Sequence, residues 1–72
     1  MYNCNFTMRD AATGISITQN LGFDLPDYVR HGSQFLLGYF ARRAAEDYAV
    51  RFFGTDDVTV TLNVVNGVEY AY

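Results

Sequence analysis

From Tyr2 to Arg9 apolar and polar residues alternate without a break. Tyr2, Cys4, Phe6 and Met8 fall on one side, and Asn3, Asn5, Thr7 and Arg9 on the other. A period of two marks a β-strand with one buried face. Asp10-Ala11-Ala12-Thr13-Gly14 follows, a turn with an acid at its start and a glycine available for positive φ. Ile15 and Ile17 then alternate with Ser16 and Thr18, which predicts a second strand and closes a hairpin.

The stretch from Asn20 to Gly32 has no such period. Asp24-Leu25-Pro26-Asp27 has the makings of a helix start, with Asp24 as N-cap and Pro26 in the first turn, so one or two turns ending near His31-Gly32 are expected. Ser33 then caps the main helix, expected from about Gln34 to Phe53, and Gly54 supplies its stop. Arg42 and Glu46, Arg43 and Asp47, and Asp47 and Arg51 are each four apart and can pair along its surface. Leu37, Phe40, Ala41, Ala44, Ala45, Tyr48 and Phe52 form one stripe, assigned to the core.

Val58, Val60, Leu62 and Val64 alternate with Thr59, Thr61 and Asn63, a third strand; Val68, Tyr70 and Tyr72 make a fourth. The Asn66-Gly67 turn between them can hold two residues or three. A two-residue turn sets Val64 opposite Glu69 and throws Tyr70 and Tyr72 onto the polar face. A three-residue turn, Val65-Asn66-Gly67, sets Val64 opposite Val68 and Leu62 opposite Tyr70, keeping every apolar residue on one face. Strict alternation therefore favours the three-residue turn. The expected fold is α+β, ββαββ: one domain over residues 1–72, a mainly antiparallel four-stranded sheet ordered 2-1-3-4, and one long helix packed on one face.

Composition narrows the function. A 72-residue chain has a small core that supplies about 3–5 kcal/mol at best. Its single cysteine rules out an internal disulfide and its single histidine argues against a structural zinc site. A partner, a second copy included, is the support that remains. No apolar run is long enough to span a bilayer and no signal peptide is legible, so a cytoplasmic protein without membrane contact is expected. Net charge is −3, with five Arg and no Lys, which argues against direct nucleic-acid binding.

Candidate chemistry is sparse. His31 sits at an expected helix end, where a cation favours the last carbonyls. Cys4 belongs to the apolar row of the first strand and reads as core. No phosphate loop, zinc spacing or serine elbow is present, so neither catalysis nor a cofactor is expected. Asp10, Asp56 and Asp57 are expected at one pole of the fold. There they serve as turn residues, as ligands of a divalent cation, or as acceptors for a partner's Arg and Lys. The outward sheet face (Asn3, Asn5, Thr7, Ser16, Thr18, Thr59, Thr61, Asn63) carries no ring for stacking bases, as an RNA-binding sheet would.

Phe35, Tyr39, Val50 and Phe53 fall off the helix stripe, among Arg42, Arg43 and Glu46. Rings and aliphatics mixed with Arg are the composition of a protein interface. The competing expectation is that Phe23, Leu25 and Tyr28 fold over them as a small second core. In length, acidity, αβ pattern and lack of an active-site motif, the chain resembles small inhibitors encoded by bacteriophages and mobile elements, such as anti-CRISPR proteins. That resemblance implies a non-catalytic module acting in the host cytoplasm, which inhibits a host-defence or nucleic-acid-processing protein by occupying its surface. It rests on overall features, so no functional residue carries over from it. Two alternatives stand beside it: a homo-oligomeric subunit packed through the outer helix side, and a cation-binding or enzymatic domain built on the three aspartates.

Overall fold

The computed structural model describes residues 1–24, Pro26, Tyr28 and 34–70, the side chain of Gln34 excepted. Its elements are β1 (Tyr2–Asp10), β2 (Ser16–Phe23), α1 (Gln34–Phe53), β3 (Val58–Val65) and β4 (Val68–Glu69). They form one antiparallel sheet in the order β2-β1-β3-β4, with the helix packed on one face: the α+β architecture and strand order expected above. The short helix expected from Asp24, together with His31 and the Ser33 cap, lies largely outside the described residues, as does Tyr72.

β1 is one of the two inner strands and carries the most deeply buried row. Cys4, Phe6 and Met8 are fully buried beneath the helix, with Val60, Leu62 and Val65 beside them on β3. The β1–β2 hairpin closes as its sequence demands. Asp10 Oδ1 accepts from Ala12 N at 2.9 Å, and Gly14, at φ 76°, donates its N–H to the Asp10 carbonyl. The second strand runs further than alternation predicts, through Phe23. Gln19 interrupts the apolar row, yet it faces the same side as Ile17, Leu21 and Phe23, opposite Phe6. Ile15, expected inside, belongs to the turn and is 53% exposed.

The C-terminal hairpin departs from the expected register. Val64 lies opposite Glu69 and Val65 opposite Val68, a two-residue turn. Asn66 (φ 51°) and Gly67 (φ 85°) are both left-handed, as the tight mirror-image turns of hairpins require. The cause is a bulge. β1 pairs Phe6 with Leu62 and then Asn5 with Val64, so Asn63 is an extra residue in β3. Beyond it the sidedness inverts: Val64 joins the outward face and Val65 enters the core. Tyr70, whose N–H donates to the Asn63 carbonyl at 2.9 Å, still packs inward. Strict alternation calls for the longer turn; one bulged residue satisfies the apolar face without it.

The helix also sits differently from the expected stripe. Its buried row is Gly38, Ala41, Ala45 and Ala49, flanked by Leu37, Tyr48 and Phe53. Small side chains let the helix backbone approach a sheet that supplies the bulk through Phe6, Met8 and Leu62. Phe40 is half-buried and touches the rings of Tyr28 and Tyr39 instead of the main core, while Phe52 is 47% exposed. Gly54, at φ 71°, closes the helix by donating to the Val50 carbonyl at 2.9 Å.

Candidate protein-binding surface

With its alanine row held against the sheet, α1 presents the opposite side outward. Phe35 is 69% exposed and Tyr39, one turn later, 41%. Arg43 reaches back along the helix to Tyr39: its Nη1 donates to the phenol oxygen at 3.3 Å, and the guanidinium lies 5.9 Å from the ring centroid. The hydrogen bond to Tyr39, and then the electrostatic attraction to the same phenol, raise the Arg43 guanidinium above its ordinary pKa. Arg42 Nε pairs with Glu46 Oε1 at 3.2 Å, one of the three expected i,i+4 pairs. Phe35, Tyr39, Arg42, Arg43 and Glu46 therefore share an outward surface, as their spacing suggests.

Val50 and Phe53 fit that surface less well. Val50 is half-buried, and Phe53 packs against the core and sets its ring edge-on to Phe52 at 5.2 Å. Phe53 is thus a core-flanking residue, whereas Phe52 is the more open ring, stacked on Tyr48 at 6.0 Å. The signal was present in the sequence: Ala41, Ala45 and Ala49 continue at spacing four to Phe53 and not to Phe52. The ring contacts of Phe23 and Tyr28 fall on residues other than the four that the second-core expectation had them cover. Tyr28 covers Phe40 at 5.6 Å and Phe23 covers Phe6 at 6.0 Å, while Leu25 lies outside the described residues.

The three aspartates do share a pole. Ala11 N donates to the Asp57 carbonyl at 3.0 Å, tying the β1–β2 turn to the start of β3. Asp10 is buried and committed to its own turn; Asp56 and Asp57 are exposed, and Asp57 N donates to Thr55 Oγ1 at 3.2 Å. Among the described residues no group of three His, Cys, Asp or Glu side chains is placed to share an ion. These residues are accounted for as turn-formers, with Asp56 and Asp57 adding exposed negative charge.

Two further reactive groups among the described residues, Cys4 and the Tyr2 hydroxyl, are held in the core. Cys4 has no exposed surface, and burial pushes its thiol up to about 11, away from the thiolate that nucleophilic or metal chemistry needs. The Tyr2 hydroxyl is buried and has no hydrogen-bond partner among the described residues. On the open sheet face, polar side chains pair with one another. Asn63 Nδ2 donates to Asn5 Oδ1 at 3.0 Å and to Thr7 Oγ1 at 3.1 Å, and Thr7 and Thr18 hydroxyls meet at 3.0 Å. Among the described residues no helix is long and apolar enough to cross a membrane. Comparison of the chain with protein families, curated proteins and solved structures finds no match.

Proposed function

We propose that this chain is a non-catalytic binding module that inhibits or regulates a larger protein by occupying its surface, in the manner of anti-CRISPR proteins. The observation that carries the reading is the pair of exposed rings, Phe35 and Tyr39, one turn apart on a helix whose other side is locked to the sheet. Rings fixed by a rigid element lose little entropy on binding, and Arg42 and Arg43 beside them supply directional polar contacts. The net charge of −3, with Asp56 and Asp57 exposed at one pole, suits a partner with a basic surface. Nucleic-acid-processing proteins carry such surfaces.

The test is affinity capture from the source cell with the parent chain and with a Phe35→Ser, Tyr39→Ser variant, alongside thermal melts of both. The same partner should be retained by the parent and lost by a variant whose melting temperature is nearly unchanged. Phe53→Ser should lower that temperature clearly, because Phe53 packs on the core. A partner held equally well by parent and double variant would refute the helix face as the binding surface.

A further inference from the structure

β2 is an edge strand of an unusual kind. Its eight residues, Ser16 to Phe23, carry no charge, no proline and no bulge, and among the described residues nothing pairs with its outer side. Sheet edges are ordinarily protected by brevity, charge or irregularity. On the opposite side of the sheet β4 is two residues long and includes Glu69, and its ladder pairs only Val64 and Val65 of β3.

The phase of the free hydrogen-bonding groups follows from the hairpin. Asp10 N donates to the Ile15 carbonyl, and hydrogen-bonded pairs alternate with non-hydrogen-bonded ones along an antiparallel ladder. Ile17, Gln19, Leu21 and Phe23 therefore bond to β1, and the N–H and C=O of Ser16, Thr18, Asn20 and Gly22 point to the open edge. The side chains sort the same way. Ile17, Gln19, Leu21 and Phe23 lie on the helix side, half-buried because the helix packs on β3 and β1; Ser16, Thr18, Asn20 and Gly22 lie on the open face.

We propose that this edge pairs with the same edge of a second copy, antiparallel about a two-fold axis through Gln19, joining two sheets into one of eight strands. A two-fold contact requires a strand complementary to its own reverse. Ser16-Ile17-Thr18-Gln19-Asn20-Leu21-Gly22 meets that requirement in type: small polar or glycine, aliphatic, polar, then Gln19, then the same order reversed. In this register Ser16 faces the partner's Gly22 and Thr18 the partner's Asn20, so the free backbone groups meet their complements. Ile17 packs beside the partner's Leu21 on the helix side. Thr18 beside Asn20 extends the polar ladder that Asn63, Thr7 and Thr18 already form within one chain. The two Gln19 amides face each other on the axis, which gives the one polar residue in the inward row a partner. No like charges meet anywhere along the contact.

This contact is independent of the helix surface proposed above and is tested separately, by sedimentation of the full chain from micromolar to millimolar concentration. The parent should shift from monomer to dimer. Gln19→Lys and Gln19→Glu variants should each remain monomeric, and their equimolar mixture should recover the dimer. On the unmodified chain, amide exchange at Thr18 and Asn20 should slow several-fold in the dimer and revert on dilution, while the amides of Ile17 and Leu21 stay protected throughout. A parent that is monomeric at millimolar concentration overturns the proposal. So does a dimer that survives both Gln19 substitutions, or one dissolved by Tyr39→Ser. Should the Gln19 variants fail to fold, the exchange pattern of the parent decides alone.

Discussion

Cys4 lies between Leu21 on one neighbouring strand and Val65 on the other, and its burial leaves a titration that can be read as stability. The folded thiol is pushed from the ordinary 9.0 up to about 11, because the apolar interior disfavours the thiolate. Between these values the unfolded chain releases the proton more readily than the folded one. The folded state is then progressively disfavoured as pH rises from about 9 to about 11, and the full loss is present above that. At about 1.4 kcal/mol per pKa unit, the loss is on the order of 3 kcal/mol. Burial raises the Tyr70 phenol too, which acts in the same direction. Denaturant unfolding at a series of alkaline pH values should show this decline in the parent. A Cys4→Ala variant should start less stable and decline less steeply; parallel curves would assign the effect elsewhere.

Within the helix, Gly38 is the residue that intrinsic propensity cannot explain, since an interior glycine costs about 1 kcal/mol relative to alanine. A Cβ there would stand 2.8 Å from Tyr70 Cε1, so the tyrosine ring occupies the space an alanine methyl would need. Gly38→Ala should therefore destabilise the parent. In a Tyr70→Ala background the same change should stabilise by about 0.5–1 kcal/mol, the sign reversal showing in a double-mutant cycle. The helix itself was legible in the sequence from its length and from Gly54. Its rotation was not: hydrophobicity directs attention to Phe40 and Phe52, whereas close approach to the sheet selects Gly38, Ala41, Ala45 and Ala49. For the same reason the outer surface was legible at Phe35, Tyr39 and the arginines and misread at Phe53. β1 was legible because its alternation is unbroken. β2 was cut short because Gln19 is polar at an inward position, the feature that the edge contact accounts for.

At the scale of the whole molecule, one layer of helix covers one face of the sheet, and the described residues leave open an aromatic helix side, an uncharged edge, an acidic pole and a polar sheet face. A domain of this size buries only about 60% of what its unfolded chain exposes, so contacts beyond the chain bear strongly on its stability. An axis through Gln19 perpendicular to the sheet would place both helices on the same side, so a dimer would offer two copies of Phe35 and Tyr39 to one partner. The bulge at Asn63 has a consequence of the same reach. It works like a one-letter insertion in a two-letter code: upstream, even-numbered residues of β3 point inward, and downstream the odd-numbered Val65 does. Excising Asn63 would restore a uniform rhythm and leave the terminal hairpin the same way up, with Val64 outward and Val65 still inside. That excision should therefore lower the unfolding midpoint by little more than Asn63→Ala, which removes the same amide; a far larger drop would show that the hairpin needs the bulge itself.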